Sequence, residues 1–216
     1  SAAAYSRPQL RIYADDVAAT LDVLASLGRG DAHPDLIFEE SNPTGRLAFL
    51  FTGQGSQCLG MGRALAESSS VFRDTLDTVL AELDRHLSKP LRSVIFAEKG
   101  SEEEAELHQT RYTQPALFAV EVAWAAFWQH CAVVPDILLG HSIGELVAAH
   151  VAGVLSLEDA AKLVCARGDL MQSCESGGAM ASLGGSEEEV LSLLASESGR
   201  VDIAGLNGPS QTVISG

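Results

Sequence analysis

Apolar positions along the chain fall into two rhythms, short continuous runs and longer helical stripes, and their alternation outlines a layered α/β molecule. Leu47-Ala48-Phe49-Leu50-Phe51 is a continuous apolar run closed by Thr52-Gly53-Gln54-Gly55-Ser56, the pattern of a buried strand entering a tight loop. Val71 to His86 reads as an amphipathic helix. Gln114 to His130 reads as a longer, more buried one, with Pro115 at its start. Acidic Glu102 to Glu106 between them predicts a solvated face. Pro135-Asp136 breaks the chain before Ile137-Leu138-Leu139, a short strand that delivers Gly140-His141-Ser142-Ile143-Gly144 into a helix over Glu145 to Ala152. Ser156 with Asp159 three residues on is a capping signal for a helix running towards Met171 or Cys174. Beyond Gly177-Gly178 the rhythm predicts strand Ala179 to Leu183, helix Glu187 to Ser196, strand Val201 to Leu206, a turn at Asn207-Gly208-Pro209 and strand Gln211 to Ser215. That β-α-β-β order opens a small mixed domain. Residues 1–45 differ: Val17 to Leu27 predicts one short helix between stretches rich in Gly, Asp, Pro and Asn, so this part reads as a linker or attached segment.

Composition narrows the class. With 216 residues and 46% hydrophobic content, the chain can bury one ordinary core, alone or with a smaller attachment. A formal net charge of -15 opposes any general affinity for nucleic acid. The most apolar region, Pro115 to Val134, is interrupted by Glu121, Gln129 and His130, so no membrane span is expected. Ser1 to Arg11 lacks the pattern of a secretory signal, and the expectation is a soluble, cytoplasmic protein. Cys58, Cys131, Cys165 and Cys174 form no Cys-x-x-Cys pair and have no histidine at ligand spacing, which predicts idle thiols and no metal site.

Gly140-x-Ser142-x-Gly144 carries the candidate chemistry. A serine on a sharp strand-to-helix turn needs glycines beside it, because side chains there would collide. Ser142 is therefore the candidate nucleophile, against the plainer reading of a structural turn serine. The helix that follows favours negative charge at the turn, and the Ile143 N–H is placed to hold a tetrahedral oxyanion. The Gly53-Gln54-Gly55 loop is the candidate second donor, against the reading of a mere tight turn. A base is harder to find. His150 lies eight residues along the same helix, about 12 Å away by helical rise, too far for proton transfer. His141 adjoins the serine, but neighbouring side chains on a sharp turn diverge, and His33, His86, His108 and His130 have no argued route to it. The base is thus expected outside these residues, beyond Gly216 or on a separate chain.

Several segments together resemble the malonyl-CoA:acyl-carrier-protein transacylases and the acyltransferase domains of polyketide and fatty acid synthases. They are Phe51-Thr-Gly-Gln-Gly-Ser-Gln57, Tyr112-Thr-Gln-Pro-Ala-Leu-Phe118, Gly140-His-Ser-Ile-Gly-Glu145, Val151 to Asp159, Arg167, Gly177-Gly-Ala-Met-Ala181 and Asn207-Gly-Pro209. The resemblance covers residues 46–216. It implies an α/β fold, with a hydrolase-like parallel-sheet core and nucleophile elbow over 46–174 and the beginning of a ferredoxin-like subdomain over 175–216. It also implies a two-step transfer in which Ser142 takes a malonyl group from CoA as an ester and passes it to the phosphopantetheine thiol of an acyl carrier protein. No bound cofactor is implied. Gln54 and Ile143 match the family's oxyanion amides, and Arg167 matches the arginine that pairs with the carboxylate of malonyl-type substrates. His141, Met171 and Asn207 are carried over as substrate-lining positions. Ile143, an aliphatic residue after the serine, favours malonyl over methylmalonyl. A neighbouring ketosynthase is the implied partner besides the carrier protein, and the family's catalytic histidine falls later than this sequence reaches.

Two other readings stay open on the sequence: a serine esterase or thioesterase that sends its acyl group to water, and a non-catalytic segment of a larger synthase. Arg167 and the paired loops oppose the first. Intact Ser142 and Arg167 oppose the second.

Overall fold

The computed structural model describes residues 9–12, 16–31, 33–34, 36–39, 45–174, 177–195 and 199–216. The first apolar run becomes strand β3 (Ala48–Phe51), which pairs in parallel with β4 (Ile137–Gly140). Asp136 sets that register: its carboxylate accepts the Leu47 N–H at 2.8 Å while its own N–H donates to Leu47 O at 2.8 Å. The connection between the two strands carries α2 (Arg63–Ser68), α3 (Ser70–Leu83), α4 (Leu91–Ile95), α5 (Glu102–Glu106) and α6 (Thr110–His130). After β4 come α7 (Ile143–Val151) and α8 (Leu157–Gln172). The α/β class expected from the sequence is the one observed.

Helices α3, α6 and α8 pack around one apolar core, with Phe72, Leu76, Leu83, Leu91, Ile95 and Phe118 fully buried. Each such side chain contributes about 1.5–3 kcal/mol relative to exposure. Helix α6 is buried over most of its circumference, as its apolar run predicts, but it starts four residues earlier than expected. Thr113 explains the earlier start: its N–H and hydroxyl both reach Gln109 O, and the hydroxyl also reaches Leu107 O at 2.6 Å. The Ser156 cap forms as expected, accepting from Asp159 N–H at 3.0 Å. The acidic run over 102–106 is a short helix rather than only a solvated face, because Ser101 caps it and Glu106 is held by Lys89 at 2.7 Å.

The last region forms an antiparallel sheet, in the order β5-β7-β6, from β5 (Met180–Leu183), β6 (Asp202–Gly208) and β7 (Gln211–Ser215), with α9 (Glu187–Leu194) after β5. A full capping box of Ser186 and Glu189 starts α9. The expected last residue of this helix, Ser196, lies outside the described residues. The turn falls at Pro209-Ser210, not at 207–209: Gly208 pairs with Gln211, so β6 keeps Asn207 within the strand. In the leading region the expected helix is α1 (Val17–Arg29), capped by Asp16 and closed by Gly30 in the left-handed conformation. Sequence reading missed that it lies between two antiparallel strands, β1 (Gln9–Ile12) and β2 (Leu36–Glu39). The flanks read as linker, Ser41 to Thr44 among them, lie partly outside the described residues.

Candidate active site

Ser142 sits between the end of β4 and the first turn of α7 with φ 56° and ψ -113°, a conformation that a side chain adopts only under constraint. The constraint comes from both flanks. A side chain on Gly140 would collide with the backbone of Gly144 and Glu145, and one on Gly144 would come within 2.5 Å of Phe51 O. The serine hydroxyl is thereby thrust outward, exposed, above the positive end of α7. As the first residue of that helix, Ile143 has no intrahelical acceptor for its N–H.

The loop after β3 lies directly against this elbow. Its backbone at Phe51 and Thr52 touches Gly144, and a side chain on Gly53 would collide with the His141 ring. This loop is tied down along its length. Gln54 donates from its side-chain amide to Thr110 Oγ1 at 3.1 Å, the Gly55 N–H donates to Gln57 Oε1 at 2.8 Å, and Gln57 Nε2 lies 3.3 Å from His108 Nδ1. Glu121 of α6 accepts the Thr52 N–H at 2.8 Å. Burial pushes the Glu121 carboxyl up from its ordinary value, and the hydrogen bonds from Thr52 oppose that rise.

Arg167 enters from α8. Its Nη2 donates to Ser142 Oγ at 3.0 Å and its Nη1 donates to Gln114 Oε1 at 2.5 Å. Gln114 is fully buried and donates in turn to Met171 Sδ at 3.2 Å. Gly168 permits this meeting, since a Cβ added there would stand only 3.2 Å from the backbone of Thr110 and Arg111 at the start of α6. The guanidinium thus crosses from a buried amide to the exposed serine, with its orientation fixed at the buried end.

Of the residues singled out in the sequence, Ser142, Ile143, Arg167 and Met171 share one cluster, with Gln54 on the loop that abuts it and His141 against Gly53. Asn207 lies on β6, and the hydrogen bonds around Ser142 do not include it. Arg167 is the hydroxyl's partner, and among the described residues no histidine bonds to it. His150 instead bonds to Leu155 O at 3.0 Å. Sequence reasoning passed over Gln114 and Glu121. Both are polar residues inside the apolar run of α6, and a polar group in a buried run must find a partner; that was the available signal.

A serine strained at a strand-to-helix elbow, with a helix terminus behind it and an arginine beside it, gives this α/β chain an exposed hydroxyl held next to a cation. The chain belongs to the acyl transferase domain family, whose model matches residues 48–216. It is 48% identical over 206 residues to polyketide synthase GfsA of Streptomyces halstedii, covering 95% of this chain and 3% of that protein. To mycoketide-CoA synthase of Mycobacterium tuberculosis it is 50% identical over 202 residues, covering 94% of this chain and 5% of that protein. The acyltransferase domain from the second module of the salinomycin polyketide synthase superposes with a TM-score of 0.78 at 46% identity, over 97% of this chain and 48% of that one. Malonyl-CoA:acyl carrier protein transacylase (FabD) from Xanthomonas oryzae pv. oryzae superposes with a TM-score of 0.68 at 41% identity, over 79% and 54% of the two chains. The chain therefore spans about half of these solved structures and a small part of the synthases.

Proposed function

We propose that this chain takes a malonyl group from CoA onto Ser142 and hands it to the phosphopantetheine thiol of an acyl carrier protein, within a polyketide synthase. The observation that carries the reading is the Arg167–Ser142 contact at 3.0 Å. A guanidinium at that place meets the free carboxylate of a malonyl ester built on the same serine, and forms the bidentate pair that an acetyl ester lacks. In the first half-reaction Ser142 Oγ bonds to the thioester carbonyl carbon, the hydroxyl proton passes to a base, and the carbon–sulfur bond breaks as CoA leaves as its thiol. The Ile143 and Gln54 amides hold the negative oxygen in between. The second half-reaction repeats these steps in reverse order, with the carrier thiol as nucleophile. Ile143 after the serine supports malonyl over methylmalonyl.

The test is the intact mass after brief exposure to malonyl-CoA, methylmalonyl-CoA and acetyl-CoA. One malonyl group on the wild type and none on Ser142→Ala is the expected result. Arg167→Ala is expected to lose malonyl loading by about 100-fold while acetyl loading changes little, the scale of a lost charge-assisted pair. Equal loading of Ser142→Ala, or equal losses for the two donors in Arg167→Ala, would refute the assignment.

A further inference from the structure

Glu121 is an acid in an apolar wall. Its neighbours around the groove between β3 and α6 include Phe49, Phe51, Trp124, Ala125 and Trp128, and its pKa is moved only by burial and by Thr52, with no charged group acting on it. Its Oε2 is buried without a partner. Its Oε1 lies 2.8 Å from Thr52 N and 2.5 Å from Thr52 Oγ1. Thr52 Oγ1 is 2.6 Å from Ser56 Oγ, and Ser56 Oγ donates to Gly53 O at 3.0 Å.

The direction of this row starts from Thr52. Its N–H and its hydroxyl both donate to Glu121 Oε1, so the acid is the acceptor at the head of the row. Gly53 O is a carbonyl and only accepts, and Ser56 closes the row there.

We propose that Glu121 is a positioning residue for the oxyanion loop: from the apolar wall of α6 it accepts both the Thr52 N–H and the Thr52 hydroxyl, at the head of the row Thr52, Ser56, Gly53 O, and so fixes the Gln54 amide beside Ser142. Only the last clause rests on the acyl-transfer reading. A glutamine can replace such an acid, because its side-chain oxygen in the place of Oε1 accepts both the Thr52 N–H and the Thr52 hydroxyl.

The experiment compares wild type, Glu121→Gln, Glu121→Ala and Thr52→Val by hydrogen–deuterium exchange, followed by the rate of Ser142 acylation against malonyl-CoA concentration. Glu121→Ala and Thr52→Val are expected to speed exchange in residues 50–58 by about tenfold or more, with residues 137–150 unchanged, as a local opening does. Their maximal acylation rate is expected to fall by about 10- to 100-fold at an unchanged half-saturating donor concentration, the mark of a displaced oxyanion donor. Glu121→Gln is expected to match wild type in both within about twofold. A protected loop in Glu121→Ala and Thr52→Val overturns the positioning role. A Glu121→Gln variant as impaired as Glu121→Ala overturns the acceptor role of Oε1. If Glu121→Ala does not fold, Thr52→Val and Glu121→Gln carry the comparison. If wild type takes no malonyl group, the acyl-transfer reading fails and the exchange data still decide the loop.

Discussion

At the scale of single residues, reactivity and stability pull against each other at Ser142. Its φ of 56° places a side chain where glycine belongs, and that strain holds the hydroxyl out beside Arg167. Replacing Ser142 by glycine is expected to raise unfolding free energy by about 1 kcal/mol, since the relieved strain exceeds the added backbone entropy. Ser142→Ala keeps the strain and is expected to stay near wild type. Both variants lose the proposed acyl acceptor, and urea denaturation of the three proteins side by side reads the difference. Gln114 stands one contact further in: buried, bonded to Arg167 and to Met171, it sets the angle at which the guanidinium meets the serine.

At the scale of elements, the site is a joint of three: the end of β3, the turn from β4 into α7, and the face of α8 against α6. The joint of β3 and α7 has no spare room at Gly144, where an added Cβ would stand 2.5 Å from Phe51 O and 2.7 Å from Thr52 O. Gly144→Ala is expected to lower stability by about 3 kcal/mol and to abolish Ser142 acylation, because it pushes the oxyanion loop off the helix. Gly184→Ala, at a glycine with open space around it, is the control, and thermal melts of the two variants check the contrast. Much of this joint was legible in the chain. The apolar runs at 47–51 and 137–139, the Gly-x-Ser-x-Gly turn and the Ser156 cap are local signals, and each lies within a residue or two of its observed place. What escaped was long-range. Strands β1 and β2 are four residues each and find one another across 23 residues that carry no alternating pattern of their own. Gln114 and Glu121 acquire their roles only when α8 and the loop after β3 arrive from elsewhere. Asn207, carried over by resemblance, lies on a strand whose hydrogen bonds stay within its own sheet.

At the scale of the whole molecule, the described residues divide into a helical core with a parallel pair of strands, an antiparallel sheet with its helix, and the leading strand-helix-strand unit. Ser142, Arg167 and the loop after β3 all belong to the first. No helix among the described residues is long and apolar enough to cross a membrane. The parallel pair is the open question of this architecture, because parallel sheets are ordinarily covered on both faces. Here β3 and β4 pair only with each other among the described residues, Leu50 is 72% and Leu139 55% exposed, and a groove of about 550 Å³ runs between β3 and Trp124 and Trp128 of α6.

Among the described residues that pair leaves two strand edges without a neighbouring strand and an apolar face, features that favour a second molecule adding its strands, and the net charge of -15 opposes the approach. Salt weakens that opposition, since the screening length shrinks from about 10 Å at 0.1 M to about 3 Å at 1 M. Light scattering of the 216-residue chain is therefore expected to rise with sodium chloride, and to rise less when Leu50 and Leu139 are replaced by threonine; scattering that is flat with salt would mean that the face is already covered.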